Sequence, residues 1–150
     1  MMDEYYMKRA LELAHKAFDL GEVPVGALIV KDGEIISEAY NLREKSKMST
    51  AHAEILAIEE ACRRLGSWRL EDCTLYVTLE PCPMCAGALI NSRIGRVVYG
   101  VKDPRAGCLG SLVNFNSYPF NHNFTVDNGI LKNECAQILN DFFLSRREKK

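Results

Sequence analysis

Apolar positions near the amino terminus recur with a helical step. Tyr6, Ala10, Leu13, Ala17 and Leu20 follow one another at intervals of four, three, four and three, which stacks their side chains on one face of an α-helix. Gly21 stands where such a helix is expected to end, since glycine takes the left-handed cap conformation at little cost. The pattern then changes. Val25 to Val30 reads as a buried strand, and Lys31-Asp32-Gly33-Glu34 carries the Asp-Gly pair of a two-residue hairpin. A second strand is expected from about Glu34 to Tyr40.

Ile55, Ile58, Cys62 and Leu65 return to the three-and-four step, predicting a helix from about Ala51 to Leu65 with Gly66 as its stop. Cys73 to Leu79 is rich in β-formers and reads as a central strand covered on both faces. Pro83 to Asn91 is expected to be helical, and Arg96 to Tyr99 a fourth strand. Ala106 to Asn123 is rich in Gly and Asn and yields no assignment. Phe124 to Val126 is expected as a short fifth strand. A last helix is expected from Leu131 to about Arg147, with Leu131, Cys135, Ile138, Leu139 and Phe142 on one side. Beyond the opening hairpin, helices alternate with strands, which argues for an α/β sandwich. No repeat, low-complexity stretch or linker interrupts the chain, so residues 1–150 are expected to form one domain.

Composition narrows the function classes. Nineteen basic and twenty acidic residues leave a net charge of −1, so a nucleic acid would have to be held by a local patch or a single pocket. No run of about 18 apolar residues is present to span a membrane, and the start Met-Met-Asp-Glu-Tyr-Tyr lacks the layout of a secretory signal. The six cysteines at 62, 73, 82, 85, 108 and 135 are therefore expected to be reduced or metal-bound, and the expected location is cytoplasmic.

Two short segments carry candidate chemistry: Thr50-Ala51-His52-Ala53-Glu54 and Glu80-Pro81-Cys82-Pro83-Met84-Cys85. Cysteines three apart on one helical turn face the same side. Pro83 suits the first helical position, which makes Cys82 the expected cap. Thiolates there are favoured by the positive end of the helix. With His52 as a third ligand, also from a helix start, the set suits tetrahedral zinc and leaves a fourth position for water, the pattern of a catalytic rather than a structural site. Glu54 and His52 can share one cavity only near the helix mouth, where Thr50 or Ser49 is a candidate cap. Glu54 is then placed to take a proton from water and hand one to a leaving amine. Cys108 stays open as a fourth ligand, which would make the site structural.

The combination His-x-Glu followed by Pro-Cys-x-x-Cys is the signature of zinc nucleobase deaminases. The resemblance runs well past it. Gly21 to Ala27, Asn41, Thr74 to Cys82, Met84 to Ala88, Ser92 to Gly100, Asn121-His122 and Asp141 to Phe143 all resemble the bacterial tRNA-specific adenosine deaminases, in order and without large gaps. The resemblance implies a three-layer α/β/α sandwich of cytidine-deaminase-like type, with a mixed central sheet of about five strands. It implies conversion of adenosine to inosine at the wobble position of a tRNA anticodon, usually in an arginine tRNA, by a homodimer with one zinc per subunit. Carried onto this chain, His52, Cys82 and Cys85 would hold the metal and Glu54 would move protons. Asn41 and the backbone at Ala53 would contact the purine, Val25 would line the base pocket, and Asp103 would border the nucleotide.

For Asn41 and Asp103 a plain turn role is the competing expectation, and for Val25 a core role. The basic end Ser145 to Lys150, after Phe142-Phe143, is a candidate RNA contact or simply a solvated terminus. The resemblance places His122 near the substrate face, Trp68 and Tyr76 are assigned to packing, and Cys62, Cys73, Cys108 and Cys135 are expected to be inert thiols. The nearest rival function is deamination of a free nucleobase, nucleoside or nucleotide such as guanine, cytosine or deoxycytidylate. A zinc-stabilised binding module without catalysis is the reading from another class.

Overall fold

The computed structural model describes residues 2–148. The first helical pattern becomes α1 (Met2–Asp19), followed by strands β1 (Gly26–Lys31) and β2 (Glu34–Tyr40). Asp32 and Gly33 turn between the two strands with φ of 51° and 76°, the positive values that a two-residue hairpin demands. The strands pair antiparallel, with a register shift between Ile29 and Val30.

β3 (Cys73–Leu79) lies at the centre of the sheet, antiparallel to β1 and parallel to β4 (Arg96–Val101), and β5 (Thr125–Asn128) extends it in parallel. The order is β2-β1-β3-β4-β5. α1 and α5 (Lys132–Glu148) cover one face, where Met7, Ala10, Leu28, Tyr76, Val98 and Cys135 form one core. α3 (Ala53–Leu65) and α4 (Pro83–Asn91) cover the other, where Ala57, Ala61, Leu75, Val77, Leu89 and Val97 form the second. This is the expected three-layer sandwich on a mixed five-stranded sheet.

Several boundaries differ from the sequence reading. A short helix α2 (Arg43–Ser46) follows β2; its four residues carry no apolar period to betray it. α3 begins at Ala53 rather than Ala51, with His52 itself in the capping position instead of Thr50 or Ser49. β1 starts one residue later than Val25, and the fifth strand is shifted to Thr125–Asn128. The unassigned stretch between β4 and β5 contains a bridge between Leu109 and Asn114 and a 3-10 turn at Phe115–Ser117. Trp68 does not pack into the core. It is 54% exposed, with the Arg69 and Arg93 guanidinium groups 4.7 and 5.7 Å from its ring. Tyr76 is buried as expected, 5.1 Å from the Tyr6 ring.

Register decides where chemistry can assemble. Gly26 pairs with Tyr40, Ala27 with Val77 and Leu79 with Val101. The segments entering β1 and leaving β2, β3 and β4 therefore meet at one end of the sheet. In sheets of this kind, ligands settle outside the carboxyl ends of the parallel strands.

Candidate active site

His52 and Cys82 occupy equivalent positions on two neighbouring helices. Each is the capping residue, with extended backbone (φ −74° and −78°), and neither caps with its own side chain. That leaves the imidazole and the thiol free to turn toward each other. Pro83 occupies the opening of α4, as its fixed φ favours, and Cys85 faces the same side one turn in. His52 Nδ1 lies 3.6 Å from Cys82 Sγ and 3.5 Å from Cys85 Sγ. All three donor atoms are within 4.8 Å of one another, and among the described residues these are the three grouped as a candidate metal site.

The donor chemistry tests the expected zinc. Sulfur about 2.3 Å and nitrogen about 2.0–2.1 Å from the ion, at a tetrahedral angle, would stand roughly 3.6 Å apart, close to both observed separations. The electrostatics agree. Hydrogen bonding from Cys85, then from His52, pulls the Cys82 thiol down to about 4, while Cys85 is pushed up by the neighbouring Cys82 sulfur and by burial. His52 is raised, chiefly by its bond to Cys82. Cys82 is thus a ready thiolate, and a divalent cation would also displace the Cys85 proton. The residues fit the group. Cys108 does not close the site as a fourth ligand: it lies outside the three-residue cluster, and its thiol is directed at the Ala106 carbonyl, 3.4 Å away.

Glu54 follows His52 by two residues in the first turn of α3. It is 4% exposed, and burial raises its carboxyl to about 7. His52, Glu54 and Cys82 line a single cavity of about 170 Å3, together with Val25, Asn41, Ala53 and Asp103. Of the residues expected to hold the metal, move protons or contact the base, the structure brings all to this cavity except Cys85, which is fully buried. Asn41 is 7% exposed; its Nδ2 donates to the Val23 carbonyl at 3.3 Å while its Oδ1 has no partner among the described residues. Ala53 contributes one of the first backbone N–H groups of α3, which the helix itself leaves unpaired. Asp103 serves a turn as well, since its Oδ1 accepts the Arg105 and Ala106 N–H groups at 3.0 and 3.3 Å.

The same cavity is lined by Arg43, Leu79, Glu80 and Ala106, which the sequence reading did not single out. Glu80 belongs to the Glu80–Cys85 segment but has no expected role there; its place before Pro81-Cys82 is the signal that points to it. His122 is not at this cavity, its Nε2 being bonded to the Ile94 carbonyl at 2.7 Å. Beside the cavity runs a larger groove of about 740 Å3, bordered by Lys102, Asp103, Arg105, Phe143, Arg146 and Arg147. Phe143 is 48% exposed there. Lys149 and Lys150, the remainder of the basic end, lie outside the described residues.

Comparison with known proteins is consistent along the whole chain. A family model of MafB19-like deaminases matches residues 1–147. A tRNA-specific adenosine deaminase of Bacillus subtilis is 55% identical over 149 residues, covering 99% of this chain and 92% of that protein. One from Aquifex aeolicus is 50% identical over 148 residues, covering 98% and 97%. Among solved structures, a chain from work on A-to-I editing by tRNA:A34 deaminases at the wobble position of transfer RNA superposes with a TM-score of 0.88. It is 44% identical and covers 90% of this chain and 99% of its own. A guanine deaminase from Nitrosomonas europaea superposes at 0.78 with 26% identity, covering 93% and 83%.

Proposed function

The chain belongs to the tRNA-specific adenosine deaminases, within the MafB19-like deaminases, and we propose that it hydrolyses adenosine to inosine at the wobble position of a tRNA anticodon. The observation that carries the reading is the triangle of His52 Nδ1, Cys82 Sγ and Cys85 Sγ, two corners of which, His52 and Cys82, line the cavity that Glu54 shares.

The reaction replaces the C6–N6 bond of adenine with a C6–O bond and releases ammonia. His52, Cys82 and Cys85 would hold one zinc per subunit, which when bound supplies a Lewis acid that makes water nucleophilic at neutral pH. The rest falls to the protein. Glu54, buried and at the helix mouth, takes a proton from the attacking water on one carboxyl oxygen and passes it to the ring nitrogen of the base, then takes the proton of the new C6 hydroxyl and passes it to the departing N6. General acid–base work of this kind contributes about 10²–10⁴-fold. Val25 and Leu79 give the cavity apolar walls that exclude bulk water. Asn41 and Ala53 stand in that wall and would orient the nucleoside through a side-chain amide and a backbone N–H.

RNA as the carrier of the base is supported by the groove beside the cavity. Lys102, Arg105, Arg146 and Arg147 supply phosphate partners and Phe143 a surface for stacking, with no need for a basic protein overall. An anticodon loop presents its base already unpaired, so no duplex has to be opened. The substrate is taken to be an arginine tRNA, the enzyme a homodimer and its location the cytoplasm. No described helix is long and apolar enough to cross a membrane.

The test is inosine formation on an anticodon stem-loop with adenosine at the wobble position, set beside free adenosine, cytidine and guanine. Turnover confined to the stem-loop is expected. The guanine deaminase superposition is the specific ground for the rival reading, and faster ammonia release from guanine would put that reading in its place. Light scattering should return twice the chain mass of 16.9 kDa; a monomer at micromolar concentration would remove the dimer.

A further inference from the structure

Glu80 is the last residue before Pro81-Cys82 and is 2% exposed, yet none of the described ion pairs involves it. Its partners are neutral and come from far along the chain. Oε1 accepts the Asp103 N–H at 3.0 Å and the Ser111 hydroxyl; Oε2 accepts the Leu109 N–H at 3.0 Å and the Ser111 N–H at 3.1 Å. A carboxylate has about four lone-pair sites, and here four donors meet it. Three of them are backbone amides of the irregular segment between β4 and β5. Gly107 lies against the same group: a Cβ there would stand 2.5 Å from each carboxylate oxygen. A second bond, Cys108 N–H to the Pro81 carbonyl at 2.9 Å, runs beside it.

Burying a carboxylate without a cation is costly, and an apolar side chain of similar size would fill the same space more cheaply. What an apolar side chain cannot do is satisfy three loop amides from one point. The loop so held is the one that borders the chemistry. Asp103 and Ala106 line the reaction cavity, and Asp103, Pro104 and Arg105 also line the basic groove beside it. Glu80 is joined through Pro81 to the cysteine that faces His52.

We infer that Glu80 is a positioning residue: its carboxylate fixes the Asp103–Ser111 loop against the strand end that carries Cys82, and so sets the rim on which the RNA around the reacting base is held. The inference rests on the proposed RNA substrate for its kinetic consequence, while the hold on the loop is independent of substrate.

Glu80→Gln keeps the shape but turns an NH2 toward amide donors, so at least one loop amide must lose its acceptor. Ser111→Ala removes only the hydroxyl contact and serves as the milder variant. In zinc-loaded full-length protein, exchange of the Asp103, Leu109 and Ser111 amides should accelerate about tenfold or more in Glu80→Gln, the loss expected for a hydrogen bond to a charged group. Amides of β1 and β3 should keep their protection. KM for the anticodon stem-loop should rise about tenfold with kcat within about threefold, and Ser111→Ala should raise KM about threefold with the same kcat. Unchanged exchange at the three amides overturns the hold on the loop. Accelerated exchange with an unchanged KM, or a fall confined to kcat, overturns the role in substrate placement. If the wild type does not deaminate the stem-loop, the exchange result still decides for or against Glu80, and only the substrate reading falls.

Discussion

Gly26 opens β1 directly beneath α1, and the contact admits no side chain. A Cβ built there would overlap the Ala10 carbonyl oxygen and would stand 2.6 Å from the Ala14 nitrogen and 2.8 Å from Leu13 Cβ. Two of these obstacles are helix backbone, which has no rotamer to change. Ordinary contact begins near 3.4 Å, so in Gly26→Ala the helix must retreat by more than about 0.8 Å, the shortfall at the Ala14 nitrogen alone, or the strand must bend away. Met7, Ala10, Ala14 and Ala17 are fully buried in that interface, and a gap of about 0.5–1 Å already forfeits a quarter to a half of each dispersion contact. Overpacking typically costs about 1–3 kcal/mol, and the rigid obstacles argue for the upper end, about 3 kcal/mol. For a domain of this length that corresponds to a fall in Tm of roughly 6–12 °C. Urea unfolding followed by circular dichroism should show the midpoint falling with the m-value unchanged. A loss below about 1 kcal/mol would refute the reasoning, because it would mean that α1 slides on the sheet without penalty.

Glu54→Gln should retain zinc and fold while losing about 10²–10⁴ in kcat, measured by inosine formation together with elemental analysis; activity within a few-fold of wild type removes Glu54 from the proton transfers. Cys85→Ser should leave the protein without its zinc, and a fully metallated variant would sink the ligand assignment. Asp3 accepts two hydrogen bonds from Arg96 at 2.9 and 2.7 Å and one from the Tyr76 hydroxyl at 2.6 Å, and these hold its carboxyl at about 2 against an ordinary 3.8. A depression of that size, for a side chain 24% exposed, is worth on the order of 1 kcal/mol once solvent screening is allowed for. Because the folded-state value is the lower one, this stability is fully present above about pH 4 and is lost as the pH falls toward 2. Melting curves of wild type and Asp3→Asn should therefore differ at pH 6 and converge near pH 2; a constant difference would contradict the linkage.

The order and type of the long elements were legible in the sequence because they rest on local rules. A three-and-four step marks α1, α3 and α5 whatever surrounds them, and Asp32-Gly33 makes a hairpin by its own torsional preference. The metal ligands were legible for the same reason. Cys82 and Cys85 are joined by a single helical turn, and Pro83 marks where that turn begins. The mismatch at the start of α3 is also local in kind: nothing in Ser49-Thr50-Ala51-His52 announces that the histidine itself takes the capping position, so the helix starts two residues later than its period predicts.

What the sequence alone left undecided depends on residues that meet only through the sheet. Register brings the ends of β2, β3 and β4 and the start of β1 to one side, and that convergence puts Asn41, Arg43, Glu80 and Asp103 around the cavity that His52 and Glu54 open. Helix α2 has no hydrophobic period; it is held where Glu22, 1% exposed, accepts the Glu44 and Lys45 N–H groups at 3.0 and 2.7 Å. The loop after β4 is ordered by Glu80, more than twenty residues away. Trp68 is assigned to packing by its chemistry alone, and only the tertiary structure leaves it exposed with two arginines against its ring. Periodicity and ligand spacing act within a few residues and can be read along the chain, whereas a pocket wall is made by hydrogen bonds and contacts between distant segments, which exist only once the sheet has brought them together.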